Sequence, residues 1–493
     1  MKNWKLEVGS WDFILDGLLF VAVFGLYLKT LSPSVYTFDS AELAAGAYSL
    51  GIVHPTGYPL YLMLAKFFTL LVPFGGIAYR VNLFSALCAA LALVFLRRAA
   101  FRLTNSVSAS LLATALFGLT YAFWSEAVVA EVYTLHVFFL ALTLWLALRW
   151  RETSRQSCFI LLALNLGLSF GNHMSTILII PGLTALIWKR LPPPRTLIIG
   201  LAAFAIGPLT YLYLPLRYAA SPAFNYAPVL GLDLSTLRGI FSMVRGEIFA
   251  DAMFAYSPAE LPLEIFDFVD LLWQTFFGIG LVVAAVGARE QWLCHRPLFA
   301  ALGLIFAANA LFYVNYRVFD KHTMFLPAFL VVALWLAVGL SKLQERLPLA
   351  NWGAGAVLIV MLAFNYPRVD LSGNTIVRDY AQQRLSAVPP NALVLGGWID
   401  ITPLEYLQTV EGQRPDVTLF DPGLYTLGRR SALRSQDVIE ADILPAIEAE
   451  IGQRVLDALA ARRAVYSLDP NPVLEKRFVL VEENGMWRVE RSH

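Results

Sequence analysis

The stretch "TFDSAELAAGAYSLGIVHPTGYPLY" (residues 37–61) places Asp39, Glu42 and His54 just after an apolar run, residues 11–31, that is long enough to cross a bilayer. Ionisable groups beside hydrocarbon are costly unless they face water or a polar cavity, so their presence there marks candidates for function. Asp39 precedes an apolar-periodic run and Glu42 follows three residues later, the pattern of a capping box, and a helix start alone would also satisfy it. The two readings are compatible, because a capped helix at the membrane surface holds a carboxylate at a fixed height over the bilayer. Gly46 and Gly51 are expected to loosen or end this helix, and "HPTGYPLY" turns the chain under the restraint of Pro55 and Pro59. His54 could bond a loop carbonyl or hold a substrate; both readings stay open.

Composition sets the class. Of 493 residues, 58% are hydrophobic and only 15% charged, with a mean hydropathy of +0.62, against roughly 45–50% apolar residues in soluble domains. The chain reads as an integral membrane protein. Its 13% aromatic content suits lipid-facing helices and interfacial belts, and a net charge of +1 offers no field for phosphate backbones, so no nucleic-acid partner is expected. The first apolar run follows Lys2 and Lys5, is too long for a signal-peptide core, and reads as a retained anchor. Cys88, Cys158 and Cys294 fall in or at the ends of predicted helices and suggest neither a disulfide framework nor a thiolate metal site.

Windows of about 19 residues pick out spans near 11–31, 80–97, 106–124, 132–149, 157–171, 174–189, 196–215, 269–288, 297–315, 323–341 and 350–366, about eleven in all. Lys and Arg gather in alternate loops (Lys2 and Lys5; Arg97, Arg98 and Arg102; Arg149, Arg151 and Arg155; Lys189, Arg190 and Arg195; Arg289 and Arg296; Lys342 and Arg346), which predicts a cytoplasmic amino terminus and an external carboxyl terminus. The expected fold class is mainly α, a polytopic membrane helix bundle with a small external α/β domain at the C-terminus. Residues 1–367 form the membrane domain, with long external loops at 32–79 and 216–268, and residues 368–493 the external domain. In the latter, "ALVLGGW" and "DVTLF" are strand candidates, "TPLEYLQTVEG" a helix, and "RFVLVEENGMWRVE" a terminal hairpin.

The predicted external side collects further polar groups. "FWSEAVVAEVYTLH" holds Glu126, Glu131 and His136; "SFGNHMS" holds Asn172 and His173 between two spans with almost no loop; "YLYLPLR" ends in Arg217; and "VNYRVFDKHTMFLP" carries Arg317, Asp320, Lys321 and His322. Satisfying helix ends would account for Glu131, snorkelling for Arg217, and internal ion pairs for the 317–322 cluster. A carboxylate as deep as Glu131 still needs a polar surrounding. Acids, imidazoles and cations on one face of a helix bundle suit a substrate with a lipid tail and an anionic head. In sugar transfer from a polyprenyl phosphate, a carboxylate takes the proton of an acceptor hydroxyl while a cation or metal stabilises the departing phosphate. The chain has no Walker A loop, dinucleotide fingerprint, HExxH, G-x-S-x-G or D-x-D pair, which favours a donor that carries no nucleotide.

The segments "FDSAELAAGAYSLGIVHPTGYPLY", "AYRVNLFSALCAALALVFL", "FWSEAVVAEVYTLHVFFLAL", "LGLSFGNHMSTILIIPGL", "YLPLR" and "FDKHTMFLPAFLVVALWLAVGL", with "LEYLQTVEGQRPDV" in the tail, resemble in order a multi-pass membrane family once labelled only as of unknown function. That family includes the eukaryotic transmembrane protein O-mannosyltransferase. The resemblance implies a C-type glycosyltransferase fold whose first external loop holds the catalytic acid, and a polyprenyl- or dolichyl-phosphate sugar as donor. It assigns Asp39 as that acid and Glu42 as its companion, orienting it or sharing a divalent cation (Mg or Mn) with it. His54 falls in the family's His-Pro-x-Gly-x-Pro stretch, Glu131 matches the acid before Tyr133, and His173 the Asn-His turn. "NYAP" (residues 225–228) departs from an expected Trp-Gly-Asp-Pro-like sequence, so an acceptor or metal contribution from that aspartate has no counterpart here.

The expected activity is transfer of mannose or another hexose to a hydroxyl of a protein (Ser/Thr), lipid or glycan on the external face. His54, Glu131, His173, Arg217, Asp320, Lys321 and His322 are candidates for binding donor or acceptor. A transporter or flippase of lipid-linked saccharides is the alternative, weakened by polar groups lying at one end rather than the midplane of the spans. A receptor or assembly factor using the membrane part as scaffold is a third. Few external cysteines and a compact architecture lean towards a bacterial inner membrane with the C-terminal domain periplasmic.

Overall fold

The computed structural model describes residues 10–318, 320–434, 436 and 438–492, with side chains from residue 12. Lys2 and Lys5 lie outside the described residues. The chain sorts into two compact units, one formed by residues up to Leu31 with Asn82–Tyr211 and Asp251–Ser372, the other by Ser32–Val81, Leu212–Ala250 and the chain from Gly373 onward.

The first unit is helical. Among the described residues six helices are long and apolar enough to cross a membrane: Ile77–Thr104, Val132–Thr153, Pro194–Ala219 (joined across a short 3-10 turn), Arg296–Val314, Thr323–Arg346 and Ala350–Val369. Two bent pairs raise the number to eight if each counts as one span. The stretch expected as one span at 269–288 is such a pair, Leu261–Thr275 and Ile279–Cys294, turned by 102° where Phe277 and Gly278 adopt φ of 52° and 63°. The one expected at 106–124 is likewise broken, Val107–Gly118 meeting Tyr121–Ala127 at 69°. Hydropathy windows register composition and are blind to such breaks. The helix expected to end near Arg97 continues to Thr104, because Arg97 and Arg98 are neutralised within the unit: Asp16 accepts from Arg97 Nε at 2.5 Å and from Arg98 Nε at 2.6 Å. Arg97 is 1% exposed, a burial that a guanidinium tolerates only when paired.

The second unit contains the Asp39–Ser49 and Pro59–Leu71 helices, short helices at Tyr213–Ala219 and Leu237–Arg245, and a five-stranded sheet in the order β2-β1-β3-β5-β4. β1 (Leu393–Leu395) pairs in parallel with β2 (Thr418–Phe420) and β3 (Val465–Ser467); β4 (Phe478–Glu483) and β5 (Met486–Arg491) form an antiparallel hairpin that joins the sheet through β3 and β5. The hairpin turns on Asn484-Gly485, both at positive φ (53° and 70°), as a two-residue turn matched to strand twist requires. Ile443, Ile447, Ile451 and Val455, four apart on the Glu440–Ala460 helix, bury one stripe against Leu393, Leu395, Phe420, Val465, Phe478 and Val489, each aliphatic side chain contributing about 1.5–3 kcal/mol by leaving water. β1 leads through Gly396-Gly397 into the Trp398–Glu411 helix. Ile401, Leu404 and Leu407 bury the inner face of that helix and direct Trp398, Glu405 and Tyr406 towards the elements described next.

Candidate functional site

Asp39 is the first residue of its helix rather than its cap: Phe38 precedes it at φ 58° with no side-chain capping bond. The capping box therefore does not form. Glu42, fully buried, turns its carboxylate across the chain instead. Its Oε1 accepts from the His54 backbone N–H at 2.6 Å and from His54 Nδ1 at 3.0 Å, and its Oε2 accepts from the Trp398 indole N–H at 2.8 Å. A buried carboxylate is tolerable when donors meet both oxygens, as here. Small residues on either side (Ser40, Ala41, Ala44, Ala45, Gly46, Ala47) let the helix be buried almost all round.

The consequence is a fixed imidazole. With Nδ1–H committed to Glu42, the neutral ring presents Nε2 as an acceptor, and Nε2 lies 2.9 Å from the Tyr58 hydroxyl and 3.8 Å from Asp39 Oδ2. Three rings stand edge-on to His54, those of Tyr58, Trp398 and Phe249, with centroids at 5.2, 5.9 and 6.4 Å. Asp39, Glu42 and His54 are thus brought together in one unit.

Arg217 occupies the opposite end of the same helix. Its Nε donates to Leu50 O at 2.7 Å and its Nη2 to Ser49 O at 3.1 Å, while the Tyr213 hydroxyl donates to Gly51 O at 2.6 Å. A cation there meets the negative end of the helix dipole. In the divergent "NYAP" segment, the Tyr226 hydroxyl donates to Glu405 Oε2 at 2.6 Å. Burial, reinforced by the charges of Glu42 and Asp421 and opposed by the Tyr226 bond, pushes Glu405 up to about 8. Asp421 is pushed up to about 6 by burial, against the N–H groups of Leu424 and Gly423 that its Oδ1 accepts.

The remaining sequence-predicted residues belong to the first unit. Glu131 precedes the Val132–Thr153 helix, and its backbone exchanges hydrogen bonds with the Ser85 hydroxyl. His173 Nδ1 meets the Ser175 hydroxyl at 2.7 Å, and His136 Nε2 reaches the same hydroxyl from 3.2 Å, so two imidazoles share one hydroxyl. Lys321 pairs with Glu264, Arg317 with Glu260 at 2.7 Å, and both cations lie over the Tyr256 ring; internal ion pairs are what these two form. The Asp320 carbonyl accepts from Thr323 Oγ1 at 3.4 Å. His322 lines a cavity of about 540 Å³ with Tyr121, Trp273, Phe364 and Arg368.

Both Glu42 oxygens already accept N–H donors and the His54 nitrogens face Glu42 and Tyr58; among the described residues no three His, Cys, Asp or Glu side chains are disposed to hold a metal. Sequence reading missed Trp398, Tyr58, Tyr226 and Glu405. Only Tyr58 had a local signal, its place in the His-Pro-x-Gly-Tyr-Pro turn; Trp398 lies 356 positions from its partner.

Residues 39–193 match the family model described as the N-terminal domain of protein O-mannosyl-transferase TMEM260, the family whose resemblance the sequence segments carry. Protein O-mannosyl-transferase TMEM260 of Mus musculus is 28% identical over 444 residues, covering 83% of this chain and 62% of the relative. Its counterpart in Dictyostelium discoideum is 22% identical over 467 residues, covering 82% and 56%. The chain therefore spans about three fifths of the length of the curated relatives it matches. Among solved structures, ArnT from Cupriavidus metallidurans aligns over 97% of this chain and 98% of its own with a TM-score of 0.61 in the apo state, and with 0.60 when bound to undecaprenyl phosphate. At 13% identity the likeness is one of fold: a helical membrane protein of the C-type glycosyltransferase fold.

Proposed function

We propose that this integral membrane protein is a glycosyltransferase that moves a hexose, mannose foremost, from a polyprenyl phosphate to an acceptor hydroxyl, with Asp39 as the base. The observation that carries the reading is the Asp39 carboxylate in the first turn of a buried helix, 3.8 Å from an imidazole whose other nitrogen is tied to Glu42. The names of the relatives support O-mannosyl transfer to protein, and the undecaprenyl phosphate in the ArnT structure supports the donor class.

In this scheme the acceptor O–H gives its proton to Asp39 as its oxygen attacks the anomeric carbon. The bond from that carbon to the phosphate oxygen breaks with its electron pair, leaving polyprenyl phosphate and an inverted glycoside. Glu42 is the group that holds His54. His54, through Nε2, accepts from and so orients the acceptor hydroxyl. Arg217 bonds two carbonyls at the far end of the Asp39–Ser49 helix, about 15 Å along its axis from Asp39, and is given no step in the transfer. The chemistry is placed on the external face, with the amino terminus cytoplasmic.

The test is Asp39→Asn in purified protein with polyprenyl-phosphate mannose and a Ser/Thr peptide: a rate loss of about 10²–10⁴-fold is expected for removal of a general base. Turnover retained in a folded variant overturns the assignment. Saccharide crossing proteoliposomes with no covalent product would favour the transporter instead.

A further inference from the structure

We infer that Trp398, contributed by the C-terminal α/β segment, is a positioning residue for this reaction: its indole N–H holds Glu42, and through Glu42 it sets the His54 ring beside Asp39. The inference rests on the proposed transferase reading and adds a role for a segment to which that reading gives none.

The argument begins with the carboxylate. Glu42 has no solvent exposure and is acceptor-only when ionised, so each oxygen needs a donor. Both donors from His54, its backbone N–H and Nδ1–H, converge on Oε1, and Oε2 accepts from the Trp398 indole. Oε2 cannot turn away to find water without dragging Oε1 off His54, so the indole fixes the rotation of the carboxylate about its last bond. That rotation in turn decides where His54 Nε2 points, 2.9 Å from Tyr58 Oη and 3.8 Å from Asp39 Oδ2. The indole ring also stands at 84° to the imidazole, 5.9 Å between centroids, so the same side chain bounds His54 directly. Of the three rings around His54, that of Trp398 also bonds the carboxylate.

Trp398 is itself held in place by the helix it begins. About two turns further on, the Glu405 carboxylate accepts from Tyr226 at 2.6 Å and the Tyr406 hydroxyl accepts the Ala78 backbone N–H at 3.2 Å. Three residues of one helix thus engage the segments 32–81 and 212–250 of its own unit. The last two bonds dock the helix; the first reaches the candidate site.

The experiment is a double-mutant cycle on the full-length protein in detergent, assayed with polyprenyl-phosphate mannose and a Ser/Thr peptide. Trp398→Phe keeps the ring and removes the N–H; we expect roughly a tenfold fall in kcat with the donor KM changed less than about twofold, since a small misplacement near the reacting atoms acts on turnover. In a Glu42→Gln background the same substitution should cost less than about twofold, because residues acting through one another are non-additive. Tyr406→Phe, which loosens docking without touching Glu42, should leave kcat within about twofold. Independent, additive losses, or a Trp398→Phe enzyme with wild-type turnover, overturn the inference. Should Trp398→Phe not elute as folded protein, Trp398→His, which keeps a ring N–H, against Trp398→Met, which has none, makes the same comparison: equal turnover of the two overturns the inference. The two failures are distinguishable. A normally active Asp39→Asn with a non-additive cycle sinks the base and spares Trp398; an inactive Asp39→Asn with an unaffected Trp398→Phe does the reverse.

Discussion

Glu405 and Asp421 are acids whose folded environment favours the proton, the reverse of a salt-bridged carboxylate. Burial is the main cause for each, and the folded values of about 8 and about 6 lie above the ordinary carboxylate range. The sign follows from proton counting. Above pH 4 to 5 the unfolded chain has released both protons while the folded chain still holds them, so stability falls as pH rises. Their contribution is fully present below the unfolded values and is lost as pH passes through 6 for Asp421 and 8 for Glu405. Glu405→Gln is neutral at every pH and still accepts from Tyr226. Relative to wild type, its thermal unfolding midpoint should therefore climb between pH 6 and pH 9; parallel curves across that range would show that Glu405 is ionised throughout. At this scale the candidate site was partly readable in the sequence. Asp39, Glu42 and His54 lie close enough along the chain for spacing to group them, whereas Trp398, Tyr226 and Glu405 belong to residue types that usually serve packing, and only folding gives them their partners.

The Asp39–Ser49 helix is the element on which these residues depend, and its end is set by backbone rather than by the glycines expected to loosen it. The helix runs through Gly46 and stops at Leu50, which takes φ 49°, while Gly51 N–H returns to Gly46 O at 2.8 Å as in a Schellman closure. Gly51 is needed for a different reason. A Cβ there would lie 2.5 Å from Phe224 O, the carbonyl that accepts Ile52 N–H at 2.9 Å, next to the return bond from Tyr226 N–H to Ile52 O at 2.8 Å. Gly51→Ala must push this two-bond bridge apart, at a cost of about 1–3 kcal/mol, and displace Tyr226 from Glu405. A lowered unfolding midpoint with reduced turnover is expected, and an unchanged midpoint would mean that the bridge is dispensable. Elements with a strong local signature were legible before folding, among them the Asn-Gly hairpin and the β1–helix–β2 run. β3 has three residues and no alternation to display, and the breaks at 119–120 and 277–278 fall inside runs that are uniformly apolar.

At the scale of the molecule, the fold class followed from mean hydropathy and the order of segments, whereas two of the expected spans are bent pairs of helices, because a window counts apolar residues without asking whether one helix contains them. Handedness in the membrane rests on the cationic clusters, and two of those cations, Arg97 and Arg98, are paired with Asp16. Carboxylates weigh little in the positive-inside bias, so the expected orientation stands on all the clusters together and can be read chemically. Cys88 and Cys158 are buried and Cys294 is exposed, between Arg289 and Arg296 on the side expected to face the cytoplasm. Glu482, exposed on β4, lies in the segment expected outside. A membrane-impermeant maleimide added to intact cells or right-side-out vesicles should leave wild-type protein unlabelled and should label Glu482→Cys. Permeabilisation should then expose Cys294. Labelling of Cys294 from outside, with Glu482→Cys protected, would reverse the orientation and move the proposed transfer reaction, with its demand for a lipid-linked donor, to the cytoplasmic face.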